Sequence, residues 1–259
     1  MLDSSYFSLQ GKKGLVIGIA NEHSIAYGCA RAFRALGADL AVTYLNEKAR
    51  SYVEPAAKAV DAELFLPCDV TVPGQLESVF EAVRERWGKL DFAVHSIAFA
   101  PKDDLQGRLV DASSDGFKLA VDVSAHSFLR MARLAEPLMT DGGSLFAMTF
   151  YGADKVLPTY DLMGPIKATL EAAIRYTAAE LGPKNIRAFA ISPGPMRTRA
   201  ASGLKDFDDL IAAAEARAPL GRLAQIDDVG AVAAMLATNT GAMMTGQTIY
   251  VDGGYHIVG

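Results

Sequence analysis

Short apolar runs alternate along the chain with longer stretches whose apolar positions recur every three to four residues. The runs Leu15–Ile19, Leu40–Tyr44, Leu64–Pro67, Phe92–Ser96, Leu145–Thr149, Ala188–Ile191 and Thr248–Val251 predict strands. They lack polar–apolar alternation, as expected of strands in a parallel sheet with helices over both faces. Between them, the periodic segments Ile25–Leu36, Lys48–Val60, Gln75–Trp87, Gly116–Met139, Lys167–Leu181 and Asp227–Leu236 predict helices. Gly37, Gly88 and Gly182 follow three of these and suit helix C-termini. Regular alternation of strand and helix implies an α/β fold, a doubly wound parallel sheet of Rossmann type with about seven strands. No repeat, low-complexity linker or composition shift divides the chain, so residues 1–259 are expected to form one dinucleotide-binding and catalytic domain.

Pro165 limits where the helix around Lys167 begins. Proline is tolerated in a first helical turn, whose N–H groups lack intrahelical partners, but not deeper. The helix should start between Tyr160 and Gly164, with Tyr160 at its mouth and Lys167 on its second turn. A helical separation of seven residues returns to nearly the same face, roughly 10 Å further along the axis. Tyrosine and lysine can then serve one cofactor, with the tyrosine turned toward substrate and the lysine toward the cofactor ribose. Short-chain dehydrogenases usually carry Tyr-x3-Lys, which would need lysine where this chain has Gly164. The setback suits a substrate whose hydride-accepting carbon is remote from its carbonyl oxygen.

Composition narrows the function classes. Half of the 259 residues are apolar, and the net charge of −5 gives no support for nucleic-acid binding. The first residues show no long apolar run behind a basic region, so neither signal peptide nor membrane span is expected. The only cysteines are Cys29 and Cys68, without CxxC spacing, which suits a reducing, cytoplasmic compartment. His23, His95, His126 and His256 are scattered without ligand spacing, and no metal site is expected.

Candidate chemistry gathers at the predicted strand ends. Gly18 to Gly28 joins the first strand to the first helix. Gly18 suits a tight phosphate-binding turn, and Ser24 suits an N-cap or a hydroxyl donor. Ala20 stands where G-x-G-x-x-G has its second glycine, so a bland turn remains an alternative. Asp69, ending the third strand, is either an acceptor for an adenine amino group or a turn aspartate. Asp91 is expected to be structural. Glu47 lies near where a ribose-binding acid would sit, which favours NADH over NADPH. His95 is expected to be a buried, hydrogen-bonded side chain shaping the loop rather than an acid–base group. Ser192-Pro193-Gly194-Pro195-Met196-Arg197-Thr198 suits a rigid cover over a nicotinamide. Beyond it, the charged, alanine-rich Arg199–Arg217 suits either a lid helix, hinged at Gly203, or a solvated surface helix, so a substrate-binding lid is expected over 196–217. Behind this loop, Tyr160 and Lys167 together favour a catalytic pair. Lys167 would hold ribose hydroxyls, and Tyr160 would donate to an oxygen that becomes an enolate as hydride arrives.

From Gly11 to the C-terminus the chain resembles the bacterial enoyl-acyl carrier protein reductases, a divergent branch of the short-chain dehydrogenase/reductases. The motifs are Gly18-x5-Ser24-Ile25-Ala26, His95-Ser96-Ile97-Ala98-Phe99-Ala100, Tyr160-x6-Lys167, Gly194-Pro195-Met196-Arg197-Thr198, Ala200-Ala201-Ser202-Gly203-Leu204-Lys205-Asp206-Phe207 and Val251-Asp252-Gly253-Gly254. The resemblance implies hydride transfer from NADH to C3 of a trans-2-enoyl thioester, followed by protonation at C2. It implies Tyr160 and Lys167 as catalytic residues. The cofactor would lie along Gly18, Ser24, Ile25, Leu45, Asp69, Val70, Ser96, Ile97, Lys167, Met196, Arg197, Thr198, Arg199 and Ala200. Ala100, Phe150, Tyr151 and Tyr160 would contact substrate. It also implies a homotetramer that receives its acyl chain on acyl carrier protein. Phe150 stands where many members have a second tyrosine, Leu45 where NADH-using relatives often have glutamine, and Ala98 where glycine is common. A ketoreductase acting on 3-oxoacyl or alcohol substrates, and a non-catalytic NADH-binding regulator, are the alternatives.

Overall fold

The computed structural model describes residues 3–157, 160–198 and 207–258. Among the described residues, seven strands form one parallel sheet in the order β3-β2-β1-β4-β5-β6-β7. They are β1 (Lys13–Ile17), β2 (Asp39–Tyr44), β3 (Leu64–Pro67), β4 (Phe92–His95), β5 (Gly143–Met148), β6 (Ile186–Pro193) and β7 (Gln247–Val251). The helices are α1 (Ile25–Ala35), α2 (Glu47–Ala59), α3 (Gln75–Trp87), α4 (Lys102–Gln106), α5 (Ser114–Val121), α6 (Ser127–Ala135), α7 (Met163–Leu181), α8 (Phe207–Arg217) and α9 (Ile226–Ala237).

The absence of polar–apolar alternation in the strands has the expected cause, because both sheet faces are buried. Leu15 and Ile17 of β1 belong to a core with Phe128 of α6 and Leu170 of α7. Val16, between them, belongs to the opposite core with Phe33 of α1 and Val229 of α9. Phe33, Phe92, Phe146 and Phe189 pack in series in that second core, with neighbouring ring centroids 4.3 to 6.2 Å apart. A third, smaller core lies beyond the strand ends. It joins Ala100, Tyr151, Leu157, Tyr160, Met163 and Tyr255 to Ala214 and Ala218 from α8 and the turn after it.

Strand order reverses between β1 and β4, which pair Gly14 with Phe92 and Ile17 with His95. The crevice beyond the carboxyl ends of these two strands is where open α/β sheets bind ligands.

Several boundaries differ from the sequence expectation. The first strand lies two residues earlier than its apolar run, because Ile19 already belongs to the turn after β1. The single helix expected over Gly116–Met139 is α5 and α6 joined by a π turn at Asp122–His126, with a 3-10 turn at Glu136–Leu138. Gly182 is not a left-handed terminus. It has φ −52° and continues into a 3-10 turn, which ends at Asn185 with φ 57°. Gly37 and Gly88 do adopt left-handed geometry. Among the described residues, no helix is long and apolar enough to cross a membrane.

Candidate active site

The turn after β1 is built around Gly18, whose φ is +109°. A Cβ there would lie 2.2 Å from the Ser96 carbonyl oxygen, so only glycine lets the β1 and β4 loops approach this closely. Ser24 is the N-cap of α1, but its hydroxyl makes no capping bond. Instead Ser24 Oγ accepts from the N–H groups of Ala20 and Asn21, both at 3.0 Å, and folds the loop back on itself. The helix N-terminus is left without a side-chain cap, with its positive dipole end facing the crevice. A backbone cradle that a Cβ would fill and an uncapped helix start fit a dinucleotide pyrophosphate.

Leu45, Asp69 and Val70 follow the ends of β2 and β3, to one side of that turn. Leu45 is exposed. Glu47 accepts from the Tyr44 hydroxyl at 2.9 Å and from Arg50 Nη1 at 3.4 Å. Asp69 Oδ1 accepts from the Thr71 N–H and hydroxyl at 2.9 and 2.6 Å, so the carboxylate braces its own turn. The Val70 side chain is buried in the core, and its carbonyl accepts from Arg130 Nη1 at 2.7 Å. Asp91 is indeed structural. It accepts from the Lys13 N–H and pairs with Lys12 and Lys89.

On the other side of the turn lies a cleft of about 340 Å³. Its walls are Ile25 of α1, Ser96 to Ala100 after β4, Met148 to Phe150 at the end of β5, and Pro193 to Met196 with Thr198 at the end of β6. Leu105, Tyr160, Met163 and Lys167 complete it. Most of this surface is apolar. His95 stands behind the wall, 1% exposed, with Nε2 2.6 Å from Ser127 Oγ. The Ser127 hydroxyl donates to the Val123 carbonyl, so Nε2 must carry the ring proton. Burial, followed by the charge of Lys167, holds His95 down to about 3. A histidine that stays neutral and faces away from the cleft shapes the loop, as expected from sequence.

Lys167 lies on the second turn of α7 and is 5% exposed. Its Nζ donates to the Met148 carbonyl at 2.8 Å, which leaves two ammonium protons for a ligand in the cleft. Burial pushes this ammonium down to about 8, and the nearby Glu171 opposes that shift. Tyr160 is not on the helix. It belongs to the turn before α7, and its carbonyl accepts from the Met163 N–H at 2.9 Å. Asp161 between them has φ +26°. The helical-face argument therefore applies to Lys167 but not to Tyr160, whose direction is set by packing. The Phe150 ring meets the Tyr160 ring edge-on at 4.9 Å. From the other side Gly152 presses on it so closely that a Cβ would stand 2.3 Å from Cδ1. Burial pushes the Tyr160 phenol well above its ordinary value, which keeps it a proton donor.

Among the residues expected to touch substrate, Ala100, Phe150 and Tyr160 line the cleft and Tyr151 does not. The ring of Tyr151 packs on Tyr255, with centroids 5.4 Å apart in the third core, because the chain turns between Phe150 and Tyr151. Of the loop after β6, Met196 and Thr198 line the cleft, while Arg197 pairs with Asp208 of α8. Arg199 and Ala200, with the hinge expected at Gly203, lie outside the described residues. Sequence reasoning missed Leu105, Met148, Thr149 and Met163. Met148 and Thr149 were signalled by their place at a strand's carboxyl end, and Met163 by standing one turn before Lys167 on the same face. Leu105 sits on the short α4, which no periodicity announces. Among the described residues, no cluster of His, Cys, Asp or Glu is arranged to hold a metal ion.

The comparisons with known proteins agree with this geometry. Residues 18–256 match the family model described as enoyl-(acyl carrier protein) reductase. The chain is 45% identical to enoyl-[acyl-carrier-protein] reductase [NADH] 1 of Rhizobium meliloti, covering 97% of this chain and 92% of that protein. The crystal structure of the Anaplasma phagocytophilum enoyl-(acyl-carrier-protein) reductase in complex with NAD superposes with a TM-score of 0.93 at 45% identity, over 97% of this chain and 96% of that one. The Bacillus cereus enoyl-acyl carrier protein reductase, solved with NADP+ and indole naphthyridinone, gives a TM-score of 0.94 at 43% identity, over 97% and 98% of the two chains. An uncapped helix above a glycine cradle, a buried tyrosine and lysine on one apolar cleft, and these full-length likenesses have one explanation: the chain belongs to the enoyl-acyl carrier protein reductase family.

Proposed function

We propose that this chain is an NADH-dependent enoyl-acyl carrier protein reductase, acting at the last reductive step of fatty-acid elongation. The observation that carries the reading is the pairing of Tyr160 with Lys167 on one apolar cleft, with Gly164, not a lysine, in the first turn of α7. When bound, NADH supplies a hydride to C3 of a trans-2-enoyl thioester. The chain's own groups do the rest. Lys167 holds ribose hydroxyls with the ammonium protons that Met148 leaves free. The Tyr160 hydroxyl donates to the thioester oxygen, where negative charge develops as the enolate forms, before C2 is protonated. Phe99, Ala100, Leu105, Phe150 and Met163 give the acyl chain an apolar wall and exclude water.

Gly18, Ser24, Ile25, Leu45, Asp69, Val70, Ser96, Ile97 and the 196–200 loop form the cofactor track in this reading. NADH is favoured over NADPH because Glu47 stands just after β2 near where a ribose-binding acid would sit, and Arg50 there pairs with Glu47 and lies over the Tyr44 ring. The acyl chain arrives on acyl carrier protein, and the enzyme works in the cytoplasm, in keeping with two buried free cysteines. Phe117 of α5, Leu129 of α6 and Tyr176 of α7 are exposed apolar side chains on one helical layer, which supports assembly into a homotetramer. The α8 region acts as a lid, since Ala214 and Ala218 pack into the same core as Tyr160 and Met163.

The deciding experiment compares NADH consumption with crotonyl and acetoacetyl thioesters. The enoyl substrate should be reduced far faster, and preferential reduction of the 3-oxoacyl substrate would overturn the proposal.

A further inference from the structure

Two polar side chains, one lining the cleft and one bonded to it, have no part in the roles above. Thr149, 4% exposed and lining the cleft, donates from Oγ1 to Glu171 Oε1 at 2.7 Å. Glu171 stands one helical turn after Lys167 on α7, so both side chains lie on one face of the helix. Thr149 directly follows Met148, whose carbonyl anchors the Lys167 ammonium. The end of β5 therefore grips both members of the pair, the lysine through a backbone oxygen and the glutamate through a hydroxyl.

A buried ammonium with one neutral carbonyl partner is poorly compensated for lost hydration. Among the described residues, the other titratable groups around it offer no counter-charge. His95, from β4, is neutral, and the Lys167 charge itself opposes its protonation. Tyr160, before α7, and Tyr250, from β7, are both pushed toward the neutral phenol by burial and by Glu171. Among the described residues Glu171 is the anion that acts on Lys167 in the favourable direction.

We propose that Glu171, oriented by Thr149, is a positioning residue that keeps Lys167 protonated and so preserves its grip on the cofactor ribose. The kinetic part of this inference rests on the enoyl reductase reading, but the titration of Lys167 does not.

The test uses the full chain without cofactor, labelled with 13Cε-lysine and titrated by NMR, with the Lys167 signal assigned by its loss in Lys167→Met. The wild-type midpoint should lie at about 8. Glu171→Gln keeps the shape and an oxygen for Thr149 but removes the charge, and it should move the midpoint down by roughly one pH unit or more. Thr149→Val should move it in the same direction, and Thr149→Ser should restore it. NADH titrations followed by fluorescence should lose affinity at correspondingly lower pH in Glu171→Gln, and the alkaline limb of kcat/KM should shift with them. An unchanged Lys167 midpoint in Glu171→Gln, with only a lower Tm, would leave the carboxylate a fold-stabilising role and overturn the proposal. If Glu171→Gln does not fold, Thr149→Val carries the same decision. A wild-type protein that turns over no enoyl thioester would defeat the functional reading, while the NMR titration would still decide the counter-charge.

Discussion

Replacing Tyr160 by phenylalanine removes one oxygen and leaves the ring where packing holds it. Phe150 and Gly152 clamp that ring from two sides, at a centroid distance of 4.9 Å and with no room for a Cβ. Among the described residues, the Tyr160 hydroxyl has no hydrogen bond for the substitution to break, so the Tm should hardly move. Chemistry should suffer instead. In the proposed reaction the hydroxyl meets an oxygen that carries full charge only as hydride arrives, and a hydrogen bond to a charged group is worth about 1.5–3 kcal/mol. At 1.36 kcal/mol per tenfold in rate, this predicts a fall in kcat of roughly ten- to hundredfold. Because the contact strengthens in the transition state, kcat and kcat/KM should fall together while NADH affinity stays put. Burial keeps the phenol protonated, so the loss should be even across the neutral pH range. Initial rates of NADH consumption with a crotonyl thioester, alongside fluorescence titration of NADH and a thermal melt, measure all of these. Unchanged kcat in a normally folded Tyr160→Phe protein would remove the hydroxyl from the mechanism.

Gly18→Ala should weaken NADH binding severely and destabilise the fold by roughly 1–3 kcal/mol, because the new Cβ meets a carbonyl oxygen at a φ that disfavours alanine; denaturant melts and NADH titration check it, and near-normal binding would count against the cradle. Phe150→Tyr should change mainly acyl preference, since a polar atom on an apolar wall costs about 1–3 kcal/mol if unpaired. Steady-state kinetics across short and long enoyl thioesters decide that point, and a uniform hundredfold rise in turnover would contradict a packing role for Phe150. Backbone amides of α8 should exchange more slowly when cofactor and an acyl ligand are both bound than in the free protein; equal exchange in both states would argue against a lid. His95 is held at about 3 when folded against an ordinary 6.5, so the unfolded chain binds the extra proton between those values. Its stabilising contribution should be full above pH 6.5 and lost as pH falls toward 3, and His95→Gln should flatten that slope in acid denaturation followed by circular dichroism.

The sheet was legible because buried parallel strands leave apolar runs that need no context. Gln75–Trp87 was read to the residue for a similar reason: it lies between two glycines that adopt left-handed backbone on either side. The first strand was placed two residues late because Val16–Ile19 stays apolar past the last ladder pair, and apolarity does not say where hydrogen bonding stops. The π turn inside the long helix was invisible for a different reason, since it leaves the apolar spacing nearly intact. At the site, residues on strand ends and on α7 could be placed by register and period. Tyr151 could not. Its neighbour Phe150 faces the cleft, but the 3-10 turn that begins at Tyr151 swings the next ring onto Tyr255, and nothing local distinguishes the two aromatics. Ser24 shows the same limit at atomic scale, because a serine at a helix start fits a cap whether its hydroxyl points to the helix or back to the loop.

The buried ammonium explains why this site is a poor place to look for stability. Lys167 has its charged form disfavoured from an ordinary 10.5 down to about 8, which corresponds to about 3 kcal/mol against the folded state at neutral pH. Between those two values the unfolded chain holds the proton more tightly, so this contribution to stability rises with pH across the window. In the proposed role of Lys167, cofactor binding should run the other way, because ribose hydroxyls would need the ammonium protons that disappear over the same range. A lysine serving only the fold would gain by moving its head group to water, and α7 has an exposed face on which to do so. The proposed grip on the cofactor, and not any gain to the core, accounts for its retention beneath the cleft, anchored to Met148 and one helical turn from Glu171.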